Sequence, residues 1–293
     1  MDREKILKAG EIAFEIRRYA RSIIKKGLPL LEIAEKIEEK IVELGGKSAF
    51  PLNLSINDIA AHYTPSHDDK TTAYGLLKVD IGVHVDGWVA DTAFSIDLEN
   101  SEENKKIILA SEKALEKAIT TASLGVSVSS IGKAIQETIE SYKLSPIINL
   151  SGHGIEHYNV HSNISIPNFD NKKNIVLQKG QYAIEPFATS GVGKVYDGKP
   201  SGIYKLINDK NVRSPIAKET LNLIKEKYRT LPFCSRWVVK ELGTKALFGL
   251  RQLEEQGILH HFLQLVESSH GKVAQAEHTI LIEDSKTLVT TRQ

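Results

Sequence analysis

The sequence predicts an α+β fold built from two similar α/β halves, with a helical insert interrupting the second. Three observations carry this reading. Residues 4–98 run helix, helix, hairpin; the two-helix pattern returns at a fixed offset of 98 residues; and residues 190–265 differ in composition from the rest.

The first helix is expected over 4–26, where Ile6, Leu7, Ile12, Ile16, Tyr19, Ile23 and Ile24 fall near helical spacing. Gly27 ends it and Pro29 opens the next. That second helix carries Leu30, Ile33, Ile37 and Ile41 on one face, and Gly45-Gly46 stops it. The period then changes. Leu76, Leu77, Val79, Ile81, Val83, Val85, Trp88 and Val89 read as paired strands around Asp86-Gly87, a two-residue hairpin turn. Helices follow at 102–123 and 128–142. Gly125, Ile131, Ile135 and Ile139 stand 98 residues after Gly27, Ile33, Ile37 and Ile41, and Ala118 stands 98 after Ala20. Two helices and a sheet segment, repeated, point to a duplicated unit.

Strands are expected near 146–150, 158–166, 174–177, 181–187 and 273–283. Residues 190–265 hold helical patches at 215–229 and 244–256, and carry a charge of +6 against −5 for the remainder. The expected division is therefore 1–189 with 266–293 as one domain, and 190–265 as an insert subdomain.

The chain has 293 residues, 41% hydrophobic and 26% charged, an ordinary globular composition that needs no staples to fold. A net charge of +1 argues against a general nucleic-acid binder, and DNA is not an expected partner. The one cysteine, Cys234, cannot form an intrachain disulfide and suits a buried position in a reducing compartment. The N-terminus lacks an apolar signal core and no run of 18 apolar residues occurs, so a cytoplasmic location without membrane contact is expected.

The chemistry begins at the hairpin. With Asp86-Gly87 as its loop, Asp91 lies opposite Gly82, and Asp80 points to the same face. Asp80 and Asp91 become diagonal neighbours among Val79, Ile81, Val89 and Ala90. Two ionised carboxylates there repel, and a divalent cation would offset them. The hairpin alone leaves another arrangement open, in which one Asp caps a turn and the other faces water. Three further segments place a metal-binding type of residue among apolar or glycine neighbours: His153 in SGHGI, after a short strand at Ile147, Ile148 and Leu150; Glu185 in IEPF; and Glu277 in QAEHTILI.

Taken in order, Asp80, Asp91, His153, Glu185 and Glu277, with the contexts KVDIGVHVDGWVAD, SGHGI, IEPF and QAEHTILI, resemble the ligand set of the pita-bread metallopeptidases. The resemblance runs from about Asn53 to Glu283. It implies two pseudo-symmetric α/β halves cradling two divalent ions. Asp91 and Glu277 would bridge both, Asp80 would complete one site, and His153 and Glu185 the other. Glu185 would also carry the proton from attacking water to leaving amine. His62 in AAHYTP would contact substrate near the scissile bond, and His161 in NVHSNISIP would bind the substrate carbonyl and the developing oxyanion. Phe50 and His62 match positions of a substrate side-chain pocket; Val160 and Phe262 are looser placements, and each apolar one fits plain core equally.

The 92-residue gap between Glu185 and Glu277, and the segment LPFCSRW, resemble the second type of methionine aminopeptidase in an archaeal form. That implies removal of initiator methionine from nascent polypeptides with a small second residue. Such sites accept cobalt, manganese, iron or zinc. Prolidases and Xaa-Pro aminopeptidases share the five ligands but usually carry a long N-terminal domain, whereas some 60 residues precede AAHYTP here. Relatives that bind RNA or protein without catalysis have lost ligands. The basic insert resembles a winged-helix shape and either touches ribosomal RNA or is a solvated basic face. A monomer is expected.

Overall fold

The computed structural model describes residues 1–292. The first half contains α1 (Arg3–Ile23), α2 (Leu30–Glu43), β1 (Lys47–Ser48), β2 (Asn53–Ile56), β3 (Ile59–Ala61), β4 (Leu76–Val85) and β5 (Trp88–Asp97). The second opens with α3 (Glu102–Thr121), α4 (Val128–Ser141), β6 (Ser145–Pro146), β7 (Ser151–Ile155), β8 (Ser165–Pro167), β9 (Gly180–Ile184) and β10 (Phe187–Thr189). Then come β11 (Val195–Leu206), α5 (Pro215–Lys227), β12 (Phe233–Cys234), α6 (Ser235–Leu242), α7 (Ala246–Glu255) and β13 (Leu259–Glu267). The chain closes with β14 (Val273–Gln275), β15 (His278–Ile282) and β16 (Thr287–Val289).

The duplication is visible bond by bond. The Asp2 side chain caps α1 by accepting from the Lys5 N–H. The same helix buries Ile6, Ala9, Ile12, Ala13, Ile16 and Ala20 against the hairpin. Beyond its end Gly27 takes φ +86°, and its N–H donates to Ala73 O at 2.8 Å. Beyond α3, Gly125 takes φ +81°, and its N–H donates to Leu177 O at 2.9 Å. The buried faces of α2 (Leu30, Ile33, Ala34, Ile37, Ile41) and α4 (Val128, Ile131, Gly132, Ile135, Ile139) match position for position at the same offset of 98. Each helix pair covers one sheet and forms its own core cluster.

A methyl group added at Gly27 or Gly125 meets no atom within 4 Å, so only backbone strain opposes it. Gly27→Ala and Gly125→Ala should each cost about 1–2 kcal/mol, and the costs should add in the double variant. Urea unfolding measures this. A cost at only one of the two would mean that the repeated turn is not energetically equivalent in the halves.

The sheets are joined at the centre of the molecule. β5 pairs with β4 over ten residues, with Gly82 opposite Asp91 as the sequence predicts. β16-β15-β9-β7-β8 form the second half's main sheet. β5 is not laddered to β14 or β15; side-chain hydroxyls stitch them instead. Thr279 Oγ1 accepts from Asp91 N at 2.8 Å and donates to Asp91 O at 2.7 Å. Thr92 Oγ1 donates to Glu277 O at 2.8 Å, and Ser95 Oγ donates to Gln275 O at 2.8 Å.

Several expectations need correction. Ile147, Ile148 and Leu150 are not a strand; they form the connection between β6 and β7, and His153 lies inside β7. Residues 158–166 are mostly loop, because Glu156 and Asn159 close a tight turn on each other and Tyr158 adopts φ +56°. Near 174–177 only Val176 makes an isolated bridge, to Ser127. A helical description of 190–265 is too narrow. Three helices pack on the long antiparallel ribbon β11–β13, with a core from Tyr204 to Leu259. The ribbon's edge pairs with β3, which joins it to the first half.

A buried ion pair makes a second joint. The two terminal guanidinium nitrogens of Arg236 on α6 donate to the Glu38 carboxylate on α2, at 2.7 and 2.8 Å. Trp237 Nε1 donates to the same carboxylate at 2.8 Å, and Arg236 Nε donates to Pro65 O at 3.1 Å. Such bidentate pairing fixes orientation as well as distance. It holds α6 against the segment that leads from His62 to Pro65.

Candidate metal centre

A cavity of about 300 Å³ opens where the two halves meet the ribbon. That is at the small end of ligand pockets, which span roughly 300–1,000 Å³. Asp80, Asp91, His153, Glu185 and Glu277 all line it, as do Phe50, His62, His161 and Phe262. Val160 does not; it is buried in a satellite core with Ala49, Phe50 and Val89. The structure therefore brings together nine of the ten residues singled out in the sequence and assigns Val160 to packing.

Each ligand candidate is placed by a different element. Asp80 and Asp91 face the cavity from β4 and β5 because strand side chains alternate. His153 projects from β7, flanked by glycines that let β9 approach: a methyl at Gly152 would meet Ala183 O at 2.4 Å. Glu185 follows β9. Glu277 sits in the break between β14 and β15, where its carbonyl has no ladder partner. Thr92 and Arg17 supply one. Arg17 Nη1 donates to Thr92 Oγ1, Ala93 O and Glu277 O at 2.7, 2.8 and 3.2 Å, while Glu277 N donates to Ala93 O at 2.9 Å. A half-buried arginine thus holds the crossing of the two halves directly behind the carboxylates.

The side chains converge. Asp91, His153 and Glu277 offer ligand atoms within 4.8 Å of one another. His153 Nε2 lies 3.7 Å from both Asp91 Oδ2 and Glu185 Oε1. Gln275 Nε2 lies 3.4 Å from both Asp80 Oδ2 and Glu185 Oε2. Asp80 Oδ1, Asp91 Oδ1 and Glu277 Oε2 are buried and have no hydrogen-bond partner. Burial pushes the Asp80 carboxyl up to about 7. Burial, then the charges of Asp80 and Glu185, raise Asp91 well above the usual range. Burial, then Asp80, does the same to Glu185; burial, then Asp91 and Glu185, to Glu277. Four carboxyl groups held this way are unfavourable as anions unless positive charge is shared among them. Burial meanwhile lowers His153 to about 4, leaving a neutral imidazole able to coordinate. Orphaned oxygens, mutual repulsion and a neutral imidazole together fit divalent cations.

Two histidines face this cluster. His62 takes φ +63°, a strained conformation for a residue with a side chain. Its Nδ1 donates to Leu263 O at 3.1 Å, so the neutral ring keeps Nε2 as an acceptor. Phe262 packs edge-on against it, with ring centroids 5.4 Å apart. His161 stands edge-on to His153 at 4.4 Å. Desolvation lowers His62, and it lowers His161 as well, helped by the neighbouring His153 and His62 although the His161 residue is itself exposed, so both favour the neutral ring near pH 7.

Sequence reasoning missed Asn53, Ile203, Pro232 and Leu265, which also line the cavity. Asn53 carried a readable signal, since β2 alternates beside Asp80. Ile203 and Leu265 lie on the ribbon, whose bulges hide its register.

Comparison with known proteins agrees with this geometry. The model of metallopeptidase family M24 matches residues 4–284. The methionine aminopeptidase of Pyrococcus horikoshii is 46% identical over 296 residues, covering 99% of this chain and all of that protein. Among solved structures, a thermophilic Arx1 superposes with TM-score 0.85 at 16% identity, covering 99% of this chain and 90% of that one. Methionine aminopeptidase from Thermotoga maritima follows at 0.72 and 23%, covering 99% and 96%. The prolidase from Pyrococcus furiosus reaches 0.61 and 18%, but this chain spans only 63% of it. These structures share the two-halved fold. With the match running through both halves and spanning all five candidate ligands, the chain belongs to metallopeptidase family M24.

Proposed function

We propose that this protein hydrolyses the bond after an N-terminal methionine, preferring a small second residue, with two divalent ions held by Asp80, Asp91, His153, Glu185 and Glu277. The observation that carries the reading is the convergence of four carboxylates and one neutral imidazole on a cavity walled by Phe50, Ile203, Pro232 and Phe262. Full-length identity to methionine aminopeptidases favours it over a prolidase activity, since this chain spans all of the former but only part of the latter. A complete ligand set likewise disfavours a non-catalytic role.

Bound divalent ions would acidify a water and polarise the scissile carbonyl. The chain's own groups do the rest. The apolar wall takes the methionine side chain and excludes water. Glu185 accepts the proton of the attacking water and passes it to the leaving amine. His161 donates to the carbonyl oxygen as charge develops there. His62, with Nε2 as acceptor, orients the substrate beside the scissile bond.

Metal-depleted protein should leave both Met-Ala-Ser and Ala-Pro uncut. Adding back cobalt, manganese, iron or zinc one at a time should restore cleavage of the first and not the second. Restored cleavage of Ala-Pro alone would reject the assignment.

We read residues 190–265 as a subdomain and the protein as a cytoplasmic monomer; among the described residues no helix is long and apolar enough to cross a membrane. The +6 charge of that segment, with Phe248 68% exposed on α7, supports contact with ribosomal RNA near emerging chains. Co-sedimentation with ribosomes at low salt, lost at high salt, is the expected result; its absence at low salt would end this part of the reading.

A further inference from the structure

We propose that Gly82, a residue that does not itself line the cavity, sets the depth of the pocket that receives the substrate's first side chain. The inference rests on the reading of the cavity as a methionine site. Gly82 pairs with Asp91 in the central hairpin. The Phe50 ring lies flat against the place where its side chain would be. A Cβ built there falls 2.4 Å from Phe50 Cδ1 and Cε1 and 2.8 Å from Cζ. Carbon atoms do not approach so closely, so any larger residue at 82 must displace the ring.

The direction of displacement is fixed by what surrounds Phe50. Ala49, Val89, Ile155, Val160, Ala183 and Leu231 are all buried and pack in the same cluster. Phe50 also lines the cavity. Interiors packed to crystal density leave a displaced ring one way to go, into open volume. The missing side chain at 82 therefore holds the wall back, and adding one methyl moves the wall inward. A long unbranched side chain would lose its place first, while a short one would still fit. Gly82 is thus a specificity-determining position acting through Phe50.

The test compares the metal-loaded wild type with Gly82→Ala, Phe50→Leu and the double variant, on Xaa-Ala-Ser peptides whose first residue is methionine, 2-aminobutyrate or alanine. Bound metal is measured in each. Gly82→Ala should lower kcat/KM for the methionine peptide by roughly 10- to 100-fold, mainly through KM, as expected when a pocket loses space for one or two methylenes. The 2-aminobutyrate peptide should change by less than about threefold, well under the roughly tenfold or more that loss of a methylene's contact costs, because its short side chain does not reach the displaced ring. Phe50→Leu in the same chain should return methionine cleavage toward the wild-type value. An equal loss on all three peptides, a loss not relieved by Phe50→Leu, or no loss at all would overturn the proposal. If Gly82→Ala is insoluble, a folded double variant that cleaves the methionine peptide supports the steric account, and an insoluble double variant beside a folded Phe50→Leu rejects it. Failure of the wild type to cut Met-Ala-Ser would instead reject the function proposed above.

Discussion

Replacing Glu185 by Gln is expected to lower kcat on Met-Ala-Ser by roughly 10²–10⁴-fold, the usual range for loss of a positioned proton carrier. The substitution keeps the shape of the side chain and one coordinating oxygen. It removes the proposed acceptor for the water's proton and one negative charge from a site where four carboxylates crowd. KM should move far less, because the apolar wall of Phe50, Ile203 and Phe262 is untouched. The measurement is steady-state kinetics at saturating metal, with bound metal counted in the same sample. Turnover within a few-fold of wild type, with metal bound, would remove Glu185 from the proton path.

The second large effect is on stability without metal. Asp80, Asp91, Glu185 and Glu277 all have carboxyl groups raised above their ordinary values, Asp80 to about 7. A carboxyl raised on folding contributes its full stability below the unfolded value near 4, and that contribution disappears as pH rises through the folded value. Chelated protein should therefore lose a few kcal/mol between about pH 4 and 7 from Asp80 alone, and more above that from the others. Buried His84, lowered to about 4, and His278, lowered to about 3, act in the opposite sense by favouring the neutral ring as pH rises. The informative quantity is thus the difference in Tm between chelated and metal-loaded samples, which should widen from pH 5 to pH 8. Asp80→Asn should narrow it by raising the chelated sample at pH 8. A difference that stays constant with pH would mean that the carboxylates are not the groups the cation neutralises.

How much of this was legible in the sequence follows from the range of the forces involved. The hairpin register, with Gly82 against Asp91, was readable because Asp86-Gly87 fixes the turn and the strand period is two. The repeated helices were readable because Ile33, Ile37 and Ile41 recur at 131, 135 and 139. The ribbon β11–β13 was not. Gly198, Pro200 and Gly202 break its alternation, and bulges shift its register between Asp197 and Tyr204. Helix α6 was hidden by its length, eight residues after Phe233–Cys234. At the site, the five candidate ligands that line the cavity could be named but not their supports. Arg17 reads as one more cation on an amphipathic helix; only the fold shows its guanidinium turned inward to Ala93 and Glu277. Val160, adjacent to His161 in sequence, fits pocket and core equally on sequence alone, and the fold packs it in the core beside Phe50.

The stitching of β5 to Glu277 also bears on how the molecule assembles. Asp91 and Glu277 are 186 residues apart, and their backbones are held together by Thr92, Thr279 and Arg17 rather than by a local turn. Closing so long a loop delays the contact until most of the chain has collapsed. The first half can condense around α1 and α2 earlier, since its core lies within residues 9–94, whereas the core under α3 and α4 also needs Ala274, Ala276, Ile280 and Ile282 from beyond the insert. Ion capture then becomes a clock for the last stage of folding. It should lag behind helix formation in a refolding experiment and coincide with the docking of one half on the other.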